Sequence, residues 1–264
     1  MTDNSQIYKA LRYGLGFIAG VAVALYAFNS DASPLKEQAI DPVVKINANC
    51  SAVAIDLPQS GNFLLTARHC VKNGSETDRE GYFSLEEYDG AKLVTTSNHF
   101  FEVERTSFNR DLALLKMRDE KVKLTKAKIA TEQLVEEGDN VWATGYPLGW
   151  TRTITPGLYN GEQVLPGSVL EVSGEDLAFT RASPAIAGGN SGGGLFQENK
   201  GNYELIGITS MGVKSYSHIS LFVPLRDIRE FLNLGDREEV KAASTDIAPF
   251  TPAIKPDAYS IDLR

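Results

Sequence analysis

From about residue 46 to about residue 234 the chain is broken into short apolar runs separated by Gly, Asn, Asp and Pro, and this punctuation limits the fold more than any other feature. Candidate strands are Ser51–Ile55, Phe63–Thr66, Leu112–Lys116, Val141–Thr144, Leu177–Thr180, Leu205–Ser210 and Ile219–Val223. Runs of that length bounded by turn residues predict an all-β sandwich or barrel. One helix is expected near the end. Pro224 suits its first turn, Leu225, Ile228, Phe231 and Leu232 recur at helical spacing, and Gly235 stops it. At 264 residues the chain holds one large globular unit or two small ones sharing an interface. No internal repeat marks a solenoid or propeller.

The two ends differ from this body. Lys9 and Arg12 precede an uncharged, mostly apolar run over 13–28, and polar Asn29-Ser30-Asp31 follows. Such a run spans roughly 24 Å as a helix, slightly short of a bilayer core. Residues 1–32 are therefore expected to be a signal peptide or an N-terminal membrane anchor, with small residues for cleavage at Ser30-Asp31-Ala32 or Ala22-Val23-Ala24. The cationic flank stays in the cytoplasm and the remainder crosses, so the protein is expected to be periplasmic or secreted. Residues 33–45, with Pro34 and Pro42, read as a linker. Residues 236–264, with Pro249, Pro252 and Pro256, read as a loosely ordered tail. A formal net charge of −8 repels phosphates and argues against a nucleic-acid partner.

Cys50 and Cys70 are the only cysteines. An exported protein meets oxidising conditions, so a disulfide between them is expected, with two buried free thiols as the alternative. Two cysteines without matching histidine spacing do not complete a zinc sphere, so no metal is expected.

Three segments carry chemistry. The first is Gly188-Gly189-Asn190-Ser191-Gly192-Gly193-Gly194. A serine hydroxyl attacks only when a base takes its proton, and the attacked carbonyl needs N–H groups aimed at its developing charge. Glycines on both sides of Ser191 allow the tight turn this demands, although a glycine-rich surface loop would look similar. The second is Leu64-Leu65-Thr66-Ala67-Arg68-His69-Cys70, where a histidine suited to proton transfer ends an apolar strand. The third is Arg110-Asp111-Leu112-Ala113-Leu114-Leu115, where an acid is carried toward the core as a strand begins. A partly buried carboxylate there needs a donor, and a histidine N–H would serve.

Taken together, His69, Asp111 and Ser191, each in its segment and in that chain order, resemble the trypsin/chymotrypsin serine peptidase superfamily. Gly145-Tyr146-Pro147-Leu148-Gly149 and Gly207-Ile208-Thr209-Ser210-Met211-Gly212 add two more similar segments, and the resemblance spans about 46–234. It implies two six-stranded antiparallel β-barrels with a C-terminal helix and an active site in the cleft between them. The first barrel would cover 46–130, and the second, with the helix, 131–235. It further implies that Ser191 is the nucleophile, His69 the base and Asp111 the residue that orients it. The N–H groups of Gly189 and Ser191 would form the oxyanion hole, and Cys50–Cys70 would match the family disulfide beside the histidine. Substrates would be proteins or peptides, and no cofactor is needed.

Departures from the digestive pattern narrow the branch. Asn190 stands where trypsin-like zymogens carry an aspartate, so no trypsin-style activation cleavage is expected and the chain is more similar to the bacterial HtrA and glutamyl-endopeptidase types. No PDZ-like domain is expected in the tail. Ala185 would lie at the base of the primary pocket and offers no counter-charge for Lys or Arg. Thr209 replaces the pocket histidine of glutamyl endopeptidases, and His218 stands either on the pocket rim or in an exposed loop. Ser210-Met211-Gly212 would pair with the substrate backbone as an added strand. These features suggest small or medium apolar side chains before the cut. An α/β-hydrolase esterase also uses G-x-S-x-G, but there the acid and histidine follow the serine. The remaining rival is a catalytically silent or partner-activated pseudoprotease that binds peptides or envelope proteins.

Overall fold

The apolar runs found in the sequence fold into two six-stranded antiparallel sheets, each closed on itself. The computed structural model describes residues 33–47, 49–73, 76–77, 79–89, 92–166, 176–213 and 216–235. The apolar run 13–28 and the tail 236–264 lie outside the described residues. From Pro34 onward the chain forms one compact unit.

The first sheet comprises β1 (Val43–Ile46), β2 (Cys50–Ile55), β3 (Phe63–Ala67), β6 (Glu80–Asp89), β7 (Lys92–Ser107) and β8 (Leu112–Met117). Their order is β1-β2-β3-β8-β7-β6, and β6 pairs back onto β1 through Lys45–Ser84 and Ile46–Phe83. A two-residue hairpin, β4 (Lys72–Asn73) and β5 (Glu76–Thr77), lies outside the barrel. The second sheet runs β10-β11-β14-β13-β12-β9. It is built from β9 (Asn140–Gly145), β10 (Thr153–Leu165), β11 (Leu177–Ala182), β12 (Gly194–Asn199), β13 (Asn202–Val213) and β14 (Tyr216–Pro224). Helix α1 (Leu225–Phe231) follows, and Pro224 occupies its N-cap as the sequence predicts.

The continuous apolar runs in β2, β3 and β8 have a physical reason. Successive strand residues point to opposite faces, so a strand is apolar throughout only when both faces are buried. Ala52, Ala54, Leu64, Ala113 and Leu115 point into the first barrel with Phe83 and Phe101. Their neighbours Val53, Ile55, Leu65, Leu112 and Leu114 pack outward against Phe196, Leu205, Ile208 and Val223 of the second barrel and Ile228 of α1. A separate core of Val141, Ala143, Tyr159, Ala182, Leu195, Ile206 and Phe222 fills the second barrel.

Two features depart from expectation. Residues 33–45, read as a linker, are in part folded: Lys36–Ile40 form one turn of π-helix and Val43–Ile46 a strand. Leu35, Ala39 and Val43 pack into the core between the barrels, and Gln38 accepts a 2.7 Å hydrogen bond from the Tyr203 N–H. Strands β7 and β10 went unread because much of their length faces solvent and carries Thr, Ser, Glu and Asn, and β6 and β12 because their short apolar stretches are broken by Ser, Glu or Gln.

Candidate active site

The predicted histidine sits in a single 3-10 turn, Arg68–Val71, directly after β3. The predicted acid lies just before β8. Antiparallel pairing of Ala67 with Leu112 brings the two segments side by side, and the Arg68 N–H donates to the Asp111 carbonyl at 3.0 Å. Asp111 has φ = 50°, a left-handed conformation that Asp tolerates better than most residues. The Asp111 carboxylate accepts from the His69 backbone N–H (3.0 Å), and the His69 Nδ1 lies 2.9 and 3.1 Å from its two oxygens. A Nδ1–H tautomer serves that contact and leaves Nε2 free to accept a proton. Burial pushes the His69 pKa down, but the adjacent Asp111 charge and hydrogen bond together hold it above the ordinary histidine value.

Ser210 supplies a third donor, its hydroxyl lying 2.7 Å from Asp111 Oδ2. Pairing between β13 and β14 steps from Thr209–Phe222 to Met211–Leu221, so Ser210 is the extra residue of a bulge. Bulges commonly re-aim a side chain beside a functional site. Sequence reading placed Ser210 only among backbone-pairing residues, because neither composition nor spacing reveals a bulge.

Ser191 stands on the turn between Asn190 and Gly192. Gly189 and Gly192 have φ of 97° and 82°. A Cβ on Gly192 would collide with Thr66 Oγ1 and the Ser51 carbonyl, so the serine turn lies against the end of β3 that leads to His69. The Ser51 N–H donates to the Ser191 carbonyl at 2.8 Å, and the Gly192 N–H to Thr209 at 2.8 Å. Among the described residues the N–H groups of Gly189 and Ser191 have no acceptor, and no hydrogen bond joins Ser191 to His69.

Two further residues, given no site role in the sequence, shape this turn. The fully buried Ser51 hydroxyl donates to the Gly189 carbonyl (2.8 Å) and accepts from the Tyr146 N–H (2.9 Å). Leu148, at φ = 57°, donates its N–H to the Gly188 carbonyl at 2.6 Å. The Gly188 carbonyl is thereby drawn toward Leu148, which leaves the Gly189 N–H pointing the other way across a trans peptide.

Cys50 and Cys70 form a disulfide, with Cα atoms 5.9 Å apart, and Cys70 Sγ lies 3.5 Å from the Ser191 carbonyl oxygen. Both sulfurs cluster with His69, but disulfide sulfurs carry no thiolate and the group cannot hold a metal. Ala185 is exposed, Ile186 is half-buried, and a Cβ on Gly212 would lie 3.4 Å from Ile186 Cγ1. Met211 is buried, and the Ser220 hydroxyl, on the neighbouring strand, donates to the Pro184 carbonyl at 2.7 Å. Thr209 is buried with no partner for its hydroxyl among the described residues. His218 is exposed.

Two closed antiparallel barrels, a histidine–carboxylate pair and a glycine-framed serine turn packed beside it define the class of two-barrel serine peptidases. The chain belongs to the Trypsin-like peptidase domain family, whose model matches residues 50–208. It is 27% identical over 186 residues to the mitochondrial serine protease HTRA2 of Drosophila ananassae, covering 70% of this chain and 39% of that protein. It thus spans about two fifths of the length of that curated relative. Among solved structures, the protease domain of MamO from Magnetospirillum magneticum superposes with a TM-score of 0.56 at 20% identity, covering 74% of this chain and 97% of that one. A serine endoprotease from Yersinia pestis gives a TM-score of 0.57 at 18% identity, covering 78% of this chain and 66% of that one. At those identities the superpositions speak for the fold alone.

Proposed function

We propose that this protein is a serine endopeptidase acting outside the cytoplasm on protein or peptide substrates. The observation that carries this reading is the Asp111 carboxylate, held by the His69 ring, the His69 N–H and the Ser210 hydroxyl beside the turn that bears Ser191. Ser191 Oγ attacks the scissile carbonyl as His69 Nε2 accepts its proton, while Asp111 keeps the ring in the Nδ1–H tautomer and stabilises its cation. Negative charge on the carbonyl oxygen is met by the N–H groups of Gly189 and Ser191, each such donor worth roughly 3 kcal/mol in the transition state. The tetrahedral intermediate expels the amine with the His69 proton, and water hydrolyses the acyl-enzyme by the same steps. The disulfide and the apolar run 13–28 support action outside the cytoplasm, the run serving as signal or anchor.

The primary pocket is read as apolar. Ala185 carries no charge, and Ile186 faces Gly212 across the strand that pairs with substrate. Small or medium apolar side chains are favoured before the cut. Asn190 is buried and neutral, so it needs no new N-terminal ammonium as counter-ion, which supports activity without trypsin-style processing.

A second reading, a silent or partner-activated module, is favoured by one observation: among the described residues no hydrogen bond joins Ser191 to His69. Reaction with a fluorophosphonate probe and cleavage of a mixed peptide library, beside Ser191→Ala and His69→Ala, decides between them. Labelling and cleavage that both controls abolish establish the peptidase. A folded wild-type protein showing neither signal leaves the second reading standing.

A further inference from the structure

Leu148 and Trp150 are among the most solvent-exposed large apolar side chains described, at 59% and 70%. Single exposed apolar residues are ordinary on protein surfaces, but this pair occupies an unusual position. The loop bearing them lies against the serine turn, since a Cβ on Gly189 would strike the Tyr146 carbonyl and approach the Leu148 and Gly149 N–H groups at 3.0 Å. The loop is also held from several sides. Internal bonds run from the Gly149 N–H to Tyr146 (3.0 Å) and from the Trp150 N–H to Pro147 (3.1 Å). Lys45 Nζ donates to the Gly149 carbonyl at 3.4 Å, and Arg152 donates to the Asp41 and Val43 carbonyls at 3.3 Å. Two apolar side chains are therefore kept in water on a tethered loop, one of them at a left-handed backbone position, beside the glycine proposed to hold the oxyanion.

The anchors also fix the side of the cleft. Lys45 and Val43 belong to β1, whose Ile46 pairs with Cys50, so the loop lies on the disulfide side of Ser191. Ser210–Gly212, proposed to pair with the acyl half of the substrate, belongs to β13, which meets the serine turn where the Gly192 N–H donates to the Thr209 carbonyl at 2.8 Å. A peptide extended along Ser210–Gly212 and past Ser191 would then meet the loop that packs against Gly189 and bears Leu148 and Trp150.

We propose that Leu148 and Trp150 form an apolar wall that receives a large hydrophobic side chain one or two residues beyond the scissile bond, so that the enzyme selects substrates by their leaving-group half. This inference rests on the serine peptidase reading. Burying the Trp150 indole against such a side chain supplies binding energy that a glycine cannot match.

Acyl transfer isolates this half of the site. Ser191 Oγ takes the acetyl group of p-nitrophenyl acetate and releases p-nitrophenolate. An added amine then attacks the acetyl carbonyl, frees the serine hydroxyl and forms an acetamide in competition with water. Phe-Gly-amide, Gly-Phe-amide and Gly-Gly-amide are compared as acceptors for wild type, Trp150→Ala, Trp150→Phe and Leu148→Asn, the last chosen because Asn tolerates the left-handed backbone. Wild type is expected to prefer at least one phenylalanine-bearing acceptor over Gly-Gly-amide by about tenfold. Trp150→Ala should abolish most of that preference and Trp150→Phe should retain it, with the p-nitrophenolate burst unchanged in both, and Leu148→Asn should reduce the preference. A wild-type burst with no acceptor preference, or an equal preference in Trp150→Ala, overturns the wall. Absence of any Ser191-dependent burst instead overturns the peptidase reading and the wall with it.

Discussion

Asp111 shows how much local chemistry can rest on one residue. It adopts a left-handed backbone conformation, its carbonyl accepts from Arg68, and its carboxylate accepts from His69 and Ser210. A hydrogen bond to a charged group is worth about 1.5–3 kcal/mol, so Ser210→Ala should lower kcat/KM by about tenfold to a hundredfold with little change in Tm. Steady-state kinetics and thermal melts of the same preparation check this, and an unaltered kcat/KM would show that Asp111 does not need the third donor. The pH profile tests the same residue. Burial lowers the His69 pKa, whereas the Asp111 charge and hydrogen bond raise it to a net value above the ordinary one. The base works only when neutral, so activity should rise with pH through that elevated pKa. Asp111→Asn removes the charge and leaves burial in place, so the acidic limb of kcat/KM should move to lower pH as the rate falls. Stability follows the opposite sense. A pKa raised by folding stabilises fully below the unfolded value, and that contribution is lost as pH rises through the folded value.

At the scale of elements, the decisive pairing is β3 with β8. Their register sets Ala67 against Leu112 and so carries His69 to Asp111, while their outward faces supply Leu65, Leu112 and Leu114 to the core between the barrels. Leu114 is 1% exposed, and Leu114→Ala should cost about 2–5 kcal/mol through lost burial and a residual cavity. The expected readout is a Tm lower by roughly 5–15 °C. A change of only a degree or two would mean that the contact between the barrels is not a packed core. The serine turn depends on a different element, β2, whose Ser51 reaches the Gly189 and Ser191 carbonyls.

Across the whole molecule, the site lies where the first barrel, the second barrel and the disulfide meet. Cys50–Cys70 closes a loop with a sequence separation of 20 and ties the His69 turn to the start of β2. In the chain-entropy picture such a loop stabilises the fold by roughly 3 kcal/mol. Dithiothreitol should therefore lower the urea midpoint of wild type, while a Cys50→Ser/Cys70→Ser variant should start at the lower midpoint and ignore the reductant. An unchanged wild-type midpoint in reductant, with free thiols confirmed, would remove the disulfide from the stabilising contacts.

The sequence by itself determined the all-β class, the terminal helix and the segments that bear His69, Asp111 and Ser191, because strand periodicity, turn residues and glycine clusters are local signals. The two six-stranded barrels followed only from the family resemblance those segments carry. The pairing of Cys50 with Cys70 was legible from their being the only cysteines. Only the tertiary structure decided that Ser210 turns onto Asp111 and that Ser51 pins the serine turn. It also decided that the supposed linker around Ala39 is packed into the core. Each of these depends on a bulge, a crossing or a burial between residues far apart in the chain. A hydroxyl or an alanine carries no mark in sequence of the partner it will meet once the barrels close.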